Sequence, residues 1–185
     1  MLKNRTKYCL VIVIIIQIIY LSMTFFAFKQ GFHSDEVWSY GFSNSYFRKE
    51  LVYNDNGESI LNQWNDSELL LNYISVEKDN RFSFVSVYDN LSKDLNPPFY
   101  NFILNFISSF FAGKFSRWFA FSINLISFIG IQLFIYLIIK CITCDDIVGV
   151  GGVILYGLSV GCMDTILFLR MYALGTFFAS GLTWS

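Results

Sequence analysis

The chain has 185 residues, of which 55% are hydrophobic, 19% aromatic and only 15% charged. This composition excludes a disordered chain, a collagen-like repeat and a small disulfide scaffold. Its 13 basic and 14 acidic residues leave a net charge of −1, without the basic excess that would bind a nucleic-acid backbone. A nucleic-acid partner is therefore disfavoured.

The first predicted element is a membrane-spanning helix over residues 8–28. These 21 residues carry no charge, and about 20 apolar residues suffice to cross a hydrocarbon core. Lys3, Arg5 and Lys7 precede the run and place the N-terminus in the cytoplasm by the positive-inside rule. The same basic start would suit a secretory signal peptide, but the apolar stretch exceeds the usual h-region and no small-residue cleavage site follows it.

A polar loop over residues 29–96 follows and is predicted to lie outside the cell. It holds 11 acidic and six basic residues, and its net charge of −5 fits the outer face. Its 68 residues are too many for a structureless connection. We therefore expect short helices and some order within this loop.

The next segment, 97–112, is predicted to be an interfacial or short membrane helix. Its apolar stretch of 15 residues is too short for a full crossing. Four polar residues recur in it at helical spacing as one stripe: Asn101, Asn105, Ser108 and Ser109. A helix lying in the interface fits this pattern. With only one crossing between Lys29 and Lys140, Lys140 is predicted on the cytoplasmic side and Arg170 on the outer side. If the segment 97–112 crosses the membrane instead, these two residues exchange sides.

Further spans are predicted at 117–139 and 147–168, and the uncharged run 171–185 is predicted to start a fourth span that the chain does not complete. This pattern favours a fragment of a larger protein over a complete small one. The expected fold is all-α, with polytopic membrane helices and an ordered outer loop that contains amphipathic juxtamembrane helices. The expected location is the cell membrane.

Asp35 and Glu36 are the first candidate catalytic residues, just beyond the outer end of the first span. A carboxylate there could accept a proton from an attacking hydroxyl or hold a divalent metal. His33, two residues before Asp35, could join such a metal site. The alternative is a solvated acidic pair in an acidic loop, and spacing alone favours it.

Basic residues near the membrane form the second candidate group. Arg170 stands between two apolar runs, where an ionisable residue is costly and a guanidinium matches phosphate oxygens with two donors. Snorkelling at a helix end is the alternative for this residue. Lys114 and Arg117 could also hold lipid phosphate, although interfacial anchoring is the more usual reason for such residues.

Four short motifs follow one another along the chain: Asp35-Glu36, Asn96-Pro97-Pro98-Phe99-Tyr100, Gly113 to Arg117, and Arg170-Met171-Tyr172-Ala173-Leu174. Their order resembles a known family, the GT-C polytopic membrane glycosyltransferases of the dolichyl-phosphate-mannose protein mannosyltransferase and aminoarabinose-transferase type. In that family a first span leads into D-E, a loop ends in H-P-P-L-Y-Y, a G-x-S-x-x-x-x-R-type segment follows, and two spans precede R-M-Y-A-L. Asn96 stands where the family usually has histidine.

The resemblance implies transfer of a sugar from a polyprenyl-phosphate donor to an acceptor at the outer membrane face. Asp35 or Glu36 would act as a base or a metal-associated carboxylate, and Arg170 would stabilise the departing phosphate. Five residues of the motifs would line the substrate site: Asn96, Pro97, Pro98, Tyr100 and Tyr172. This interpretation requires Asp35 or Glu36 to lie with Arg170 on the outer side, facing one cavity.

Two other classes of function stay open from the sequence. One is a non-catalytic membrane protein, an accessory subunit or lipid-binding scaffold whose acidic loop serves only interaction. The other is a transporter fragment, which the chain does not favour because it has no internal repeat and no pair of broken spans.

Overall fold

The computed structural model describes residues 2–48, 50–53, 58–92 and 96–185. Within these ranges the regular secondary structure is helical, apart from one isolated β-bridge between Tyr53 and Ser59. The α-helices are α1 (Leu2–Phe28), α2 (Ser34–Asn44), α3 (Ser67–Ile74), α4 (Phe84–Leu91), α5 (Phe99–Phe110), α6 (Arg117–Thr143), α7 (Asp146–Gly157), α8 (Val160–Leu167) and α9 (Tyr172–Trp184), with a short 3₁₀ turn at Lys78–Asn80. The prediction of an all-α fold is confirmed.

Two helices are long and apolar enough to cross a membrane by themselves. They cover Arg5–Phe28 in α1 and Arg117–Thr143 in α6. Helices α7 and α8 together form a third candidate span, which is bent by 61° at the break between them. The chain therefore has the helices of a membrane protein, as the uncharged runs predict.

The chain divides into two compact units. The first comprises residues 1–31 and 121–185, and the second comprises residues 32–120. We call them the bundle unit and the loop unit. The bundle unit contains the candidate spans apart from the first turn of α6, and the loop unit contains α2 to α5.

Contacts within the bundle unit fix the direction of its helices. Phe25, near the end of α1, stacks on Phe121 near the start of α6, with 3.9 Å between ring centroids. Tyr136 lies about four turns after Phe121 on α6. It belongs to the same buried cluster as Leu10, which is near the start of α1. These two helices are therefore antiparallel, and α1 ends at the same end of the bundle where α6 begins.

Helices α1 and α7 run in the same direction. Leu10 and Val150 belong to the same buried cluster, and ten residues further along α1 the hydroxyl of Tyr20 lies 3.5 Å from Sδ of Met163. The bent pair thus runs beside α1 in the same direction, with α7 next to the first half of α1 and α8 next to the second half. This order of directions is the one that three successive membrane crossings produce.

A buried amide chain joins three helices in the interior of this unit. Nε2 of Gln132 on α6 donates to Oε1 of Gln17 on α1 at 2.5 Å, and Nε2 of Gln17 donates to the carbonyl oxygen of Val153 on α7 at 3.2 Å. Both glutamines are buried. Since hydrocarbon offers no alternative partner for an amide, these hydrogen bonds favour one register of the three helices.

The loop unit is organised around α2 and α5, which contact each other through polar side chains. Nδ2 of Asn105 donates to the carbonyl oxygen of Ser43 at 2.7 Å, and Nδ2 of Asn101 donates to Oγ of Ser43 at 3.0 Å and to the carbonyl oxygen of Ser39 at 3.2 Å. The predicted polar stripe of α5 is therefore buried against α2.

The opposite face of α5 is apolar and exposed. Phe106 and Phe110 lie on it, 5.1 Å apart by ring centroids, and Phe82 packs against both. All three rings are more than one-third exposed. A helix with its amides inward and its phenylalanines outward suits an apolar or interfacial environment better than bulk water.

Candidate functional site

The break between α8 and α9 is held open by a side chain from another helix. Helix α8 ends at Leu167, and Nδ2 of Asn124 on α6 donates to the carbonyl oxygens of Ile166 and Phe168 at 2.9 and 2.8 Å. The last carbonyls of a helix otherwise have no partner within it. Asn124 supplies that partner inside the bundle unit, so the chain can leave the helical path there.

Residues of this break form a platform of stacked aromatic rings. Phe168 and Tyr172 are nearly parallel, at an interplanar angle of 9° with 5.8 Å between ring centroids. Nζ of Lys29 lies 6.0 Å from the centroid of Phe168, and the guanidinium carbon of Arg170 lies 5.7 Å from that of Tyr172. Each ring of the pair thus has a cation near it.

A cleft of about 480 Å³ opens beside this platform. Its lining combines a cation, a carboxylate, a hydroxyl and aromatic rings: Lys29, Asp164, Thr165, Leu167, Phe168 and Tyr172. We call it the platform cleft. Lysine and arginine can bind phosphate oxygens, Asp164 and Thr165 can bind hydroxyls, and the stacked rings provide a flat apolar surface. Such a lining fits a ligand with a phosphate, hydroxyl groups and an apolar part.

His33, Asp35 and Glu36 lie together at the start of α2 in the loop unit. Oε2 of Glu36 accepts the backbone N–H of His33 at 2.8 Å, and Nδ1 of His33 accepts the backbone N–H of Asp35 at 3.2 Å. This reciprocal pattern is a capping box, with histidine in the N-cap position. The two side chains stabilise the first turn of α2, so their presence has a structural explanation.

Asp35 is the one residue of the three whose side chain does not take part in the capping box. Its side chain is 37% exposed, whereas Glu36 is fully buried. Asp35 also carries the negative charge at the N-terminus of α2, where the helix dipole favours an anion. Of the two carboxylates, Asp35 is the one that a substrate hydroxyl can reach.

The metal site predicted at His33, Asp35 and Glu36 stays a prediction. Nδ1 of His33 lies 3.8 Å from Oδ1 of Asp35 and already accepts a backbone hydrogen bond. In the part of the chain that the structure describes, no group of three or more His, Cys, Asp or Glu side chains is arranged to hold a metal ion.

Helix α2 is fixed in the loop unit by Tyr40. Its hydroxyl donates to the carbonyl oxygen of Ser116 at 2.9 Å and accepts the backbone N–H of Ala120 at 3.1 Å. Burial raises the pKa of Tyr40 above its ordinary value, and the hydrogen bond from Ala120 lowers it in part. The phenol is thus a neutral structural link between α2 and the segment that leads into α6.

The other predicted site residues lie at the two ends of α5 and beyond it. Pro98 is the N-cap residue of α5, and Tyr100 is buried in its first turn. Asn96 and Pro97 precede the helix, and Pro97 is exposed. At the other end, Lys114 is exposed in the turn after α5, and Arg117 begins α6. The structure brings Arg170 and Tyr172 together in the bundle unit, and His33, Asp35 and Glu36 together in the loop unit.

The sequence interpretation missed three residues of the platform cleft and its support. Lys29 is one of the six basic residues of the predicted loop, and the sequence interpretation assigns no role to Lys29, Asp164 or Asn124. Each is a polar residue at the edge or in the middle of an apolar run. Polar residues in spans are by default candidates for functional or packing roles, and that signal was available for all three.

Comparisons of the chain with protein-family models, with curated proteins and with solved structures found no match. The function is therefore inferred from the chemistry of these residues and from the motif order in the sequence.

Proposed function

We propose that the chain belongs to a membrane glycosyltransferase that transfers a sugar from a polyprenyl-phosphate-linked donor to an acceptor at the outer membrane face. The observation that carries the proposal is the platform cleft. It combines one cation, Lys29, with stacked rings and hydroxyl-binding side chains, and a second cation, Arg170, lies near the ring of Tyr172. The motif order in the sequence supports the same class of enzyme.

In this proposal the phosphate of the donor binds Lys29 and Arg170. Both are basic residues beside the aromatic pair, where an approaching phosphate gains charge-assisted hydrogen bonds. Sugar rings commonly need a flat apolar contact together with hydroxyl partners. Phe168 with Tyr172 offers the first, and Asp164 with Thr165 offers the second.

The proposed transfer begins when an acceptor hydroxyl attacks the anomeric carbon of the sugar. The new bond joins the acceptor oxygen to that carbon, and the bond from the anomeric carbon to the phosphate oxygen breaks. The electron pair leaves with the phosphate, whose growing charge Arg170 stabilises. The hydroxyl proton passes to a general base, the role that the family resemblance assigns to Asp35 or Glu36.

Substitution of Asp35 tests this proposal. We expect Asp35→Asn in the full-length protein to lower transfer of radiolabelled sugar from a polyprenyl-phosphate donor by at least about 10²-fold, the scale of general-base catalysis. Asparagine keeps the size of the side chain and does not disturb the capping box of Glu36 and His33. Membrane abundance is therefore expected to stay unchanged.

A matched control is Asp89→Asn, which removes an exposed acidic charge from α4 in the same unit. This variant is expected to transfer sugar at the rate of the unmodified protein. If Asp35→Asn also transfers at that rate, the role proposed for Asp35 is wrong.

A second candidate function is a non-catalytic accessory protein or lipid-binding scaffold. The observation that favours it is the capping box, because it explains Glu36 and His33 without any chemistry. Binding of a polyprenyl phosphate without any transfer, in membranes that contain the acceptor, would favour this second function.

A further inference from the structure

A second concave surface lies at the other end of the bundle unit, between α1 and α7. It is a groove of about 370 Å³ with mainly apolar walls. Its lining residues are Arg5, Thr6, Cys9, Ile147, Val150, Gly151 and Ile154. We call it the α1–α7 groove. Arg5 and Lys29 are 24 residues apart on the chain, so the groove is roughly 36 Å from the platform cleft along α1.

Arg5 stands at the start of this groove, in the first turns of a candidate membrane span. Within the described residues its guanidinium forms no ion pair. Asp146, the nearest acidic residue of α7 to the groove in sequence, is paired with Lys140 at 2.6 Å and accepts the hydroxyl of Tyr136 at 2.6 Å. The positive charge of Arg5 is therefore available to an anion from outside the chain.

Glycine 151 gives the groove its open wall. A Cβ atom at this position would meet nothing within 4 Å, whereas one at Gly152 on the next position of α7 would run into the side chain of Ile139. The open side of α7 thus lies along the groove. Beside it, Ile154 is 37% exposed although it belongs to a candidate span.

We infer that the α1–α7 groove binds a phospholipid with an anionic headgroup, whose phosphate contacts Arg5 and one of whose acyl chains lies along Val150, Gly151 and Ile154. Three observations support this occupant. The groove is part of two candidate spans, its walls match an acyl chain, and its single cation is at the end where α1 and α7 begin. Both helices turn their positive dipole ends in that direction. Basic pockets between membrane helices take lipid headgroups for the same physical reason.

Lipid retention measured by native mass spectrometry tests this site. The intact protein is purified from nanodiscs that contain equal amounts of phosphatidylglycerol and phosphatidylcholine. We expect preferential retention of phosphatidylglycerol, and Arg5→Gln lowers that retention roughly five-fold, as about 1 kcal/mol per basic residue near a membrane surface implies. Lys7→Gln is the matched control, because Lys7 is exposed two residues away and does not line the groove.

A second pair of variants tests the acyl part of the site. Gly151→Leu places an isobutyl group into the groove. Gly161→Leu is the control: it adds the same group outside the groove, at a position where a Cβ also meets nothing within 4 Å. We expect only the first to lower retention of phosphatidylglycerol. Both pairs leave Lys29, Arg170 and Asp35 unchanged, so the result is independent of the proposed sugar transfer.

Three results would overturn the inference. Equal losses in Arg5→Gln and Lys7→Gln would mean that surface charge alone attracts the lipid. Full retention in Gly151→Leu would mean that no acyl chain enters the groove. A loss of dimers rather than of lipid in Arg5→Gln and Gly151→Leu would mean that the groove is an interface between two copies of the chain.

Discussion

The side chain of Asn124 donates to the backbone carbonyl of Phe168, 44 residues away, at 2.8 Å. The same Nδ2 also donates to the carbonyl oxygen of Ile166. One amide in the middle of an apolar run thus fixes where α8 ends and where the aromatic platform starts. The position of Arg170 and Tyr172 depends on this contact, because both follow directly after the break.

Replacement of Asn124 is expected to destabilise the bundle unit and to disturb the platform. Asn124→Leu removes the side-chain donor of the buried Ile166 carbonyl, and an unsatisfied buried group costs about 1–3 kcal/mol; the Phe168 carbonyl also loses this donor but keeps the backbone N–H of Arg170. A lower unfolding temperature in detergent and weaker binding of polyprenyl phosphate are expected together. Ile126→Leu, a change at a position that is 69% exposed on the same helix, serves as control. An unchanged unfolding temperature in Asn124→Leu would contradict this role.

Gly157 is expected to tolerate no larger side chain. A Cβ at this position would collide with the side-chain amides of both Gln17 and Gln132, which form the buried amide chain. Gly157→Ala should therefore cost roughly 1–3 kcal/mol of stability, the range for overpacked interiors. At Gly175 a Cβ meets nothing within 4 Å. Gly175→Ala should be neutral, or more stable by up to about 1 kcal/mol, and a similar loss in both variants would argue against the packing described.

How much of this arrangement could be read from the sequence depends on whether a feature is local. Uncharged runs predict α1 and α6 because length and hydropathy alone decide a span. The helical spacing also predicts the polar stripe of α5. It does not predict which surface the stripe packs against, because its hydrogen-bond partners Ser39 and Ser43 belong to α2, about 60 residues earlier.

The candidate site divides in the same way. Arg170 stands out because a charge interrupts an apolar run, and Asp35 with Glu36 stands out as an acidic pair after a span. The structure shows that Glu36 caps the start of α2, whereas the side chain of Asp35 stays outside the capping box. This difference depends on backbone geometry, which the spacing of the residues does not reveal. Lys29 joins the platform only through the packing of α1 beside the break at Phe168, a contact between residues 139 positions apart.

The antiparallel packing of α1 and α6 predicts the topology of the loop unit. Because α1 ends and α6 begins at the same end of the bundle, the chain should leave the membrane after α1 and re-enter it at α6 on the same side. Cysteines introduced as Gly31→Cys and Lys114→Cys should then react with an impermeant maleimide from the same side. The native Cys141 and Cys144, which are free and exposed near the end of α6, should react from the other side.

Each position is labelled in a variant that retains a single cysteine, in intact and in permeabilised cells. Labelling of positions 31 and 114 from opposite sides would mean that α5 crosses the membrane, and would contradict the topology drawn from the bundle.

Alkaline pH is expected to destabilise the loop unit through its buried tyrosines. Burial raises the pKa of Tyr73 to about 12, above the value of about 10 in an unfolded chain. The folded state therefore keeps the phenolic proton longer than the unfolded state does. The stability that this provides is complete below about pH 10 and is lost as the pH rises towards 12.

Denaturant unfolding between pH 8 and pH 12, followed by tyrosine absorbance, measures this loss. Tyr73→Phe should show a shallower decline above pH 10, since phenylalanine has no proton to lose. Tyr88→Phe is the control, because Tyr88 is 64% exposed in the same unit. Stability that stays constant or increases above pH 10 in the unmodified protein would count against the burial of Tyr73.

Binding of a lipid phosphate to the platform cleft tests the central claim most directly. A titration of the purified protein in nanodiscs compares a polyprenyl phosphate with the corresponding polyprenol. We expect the phosphate to bind more tightly, and Arg170→Gln and Lys29→Gln each to weaken it roughly ten-fold without changing the affinity for the alcohol, as the loss of one charge-assisted hydrogen bond implies. Lys7→Gln should bind both lipids like the unmodified protein. Equal affinity for the phosphate and the alcohol, or no effect of Arg170→Gln and Lys29→Gln, would contradict the proposed function.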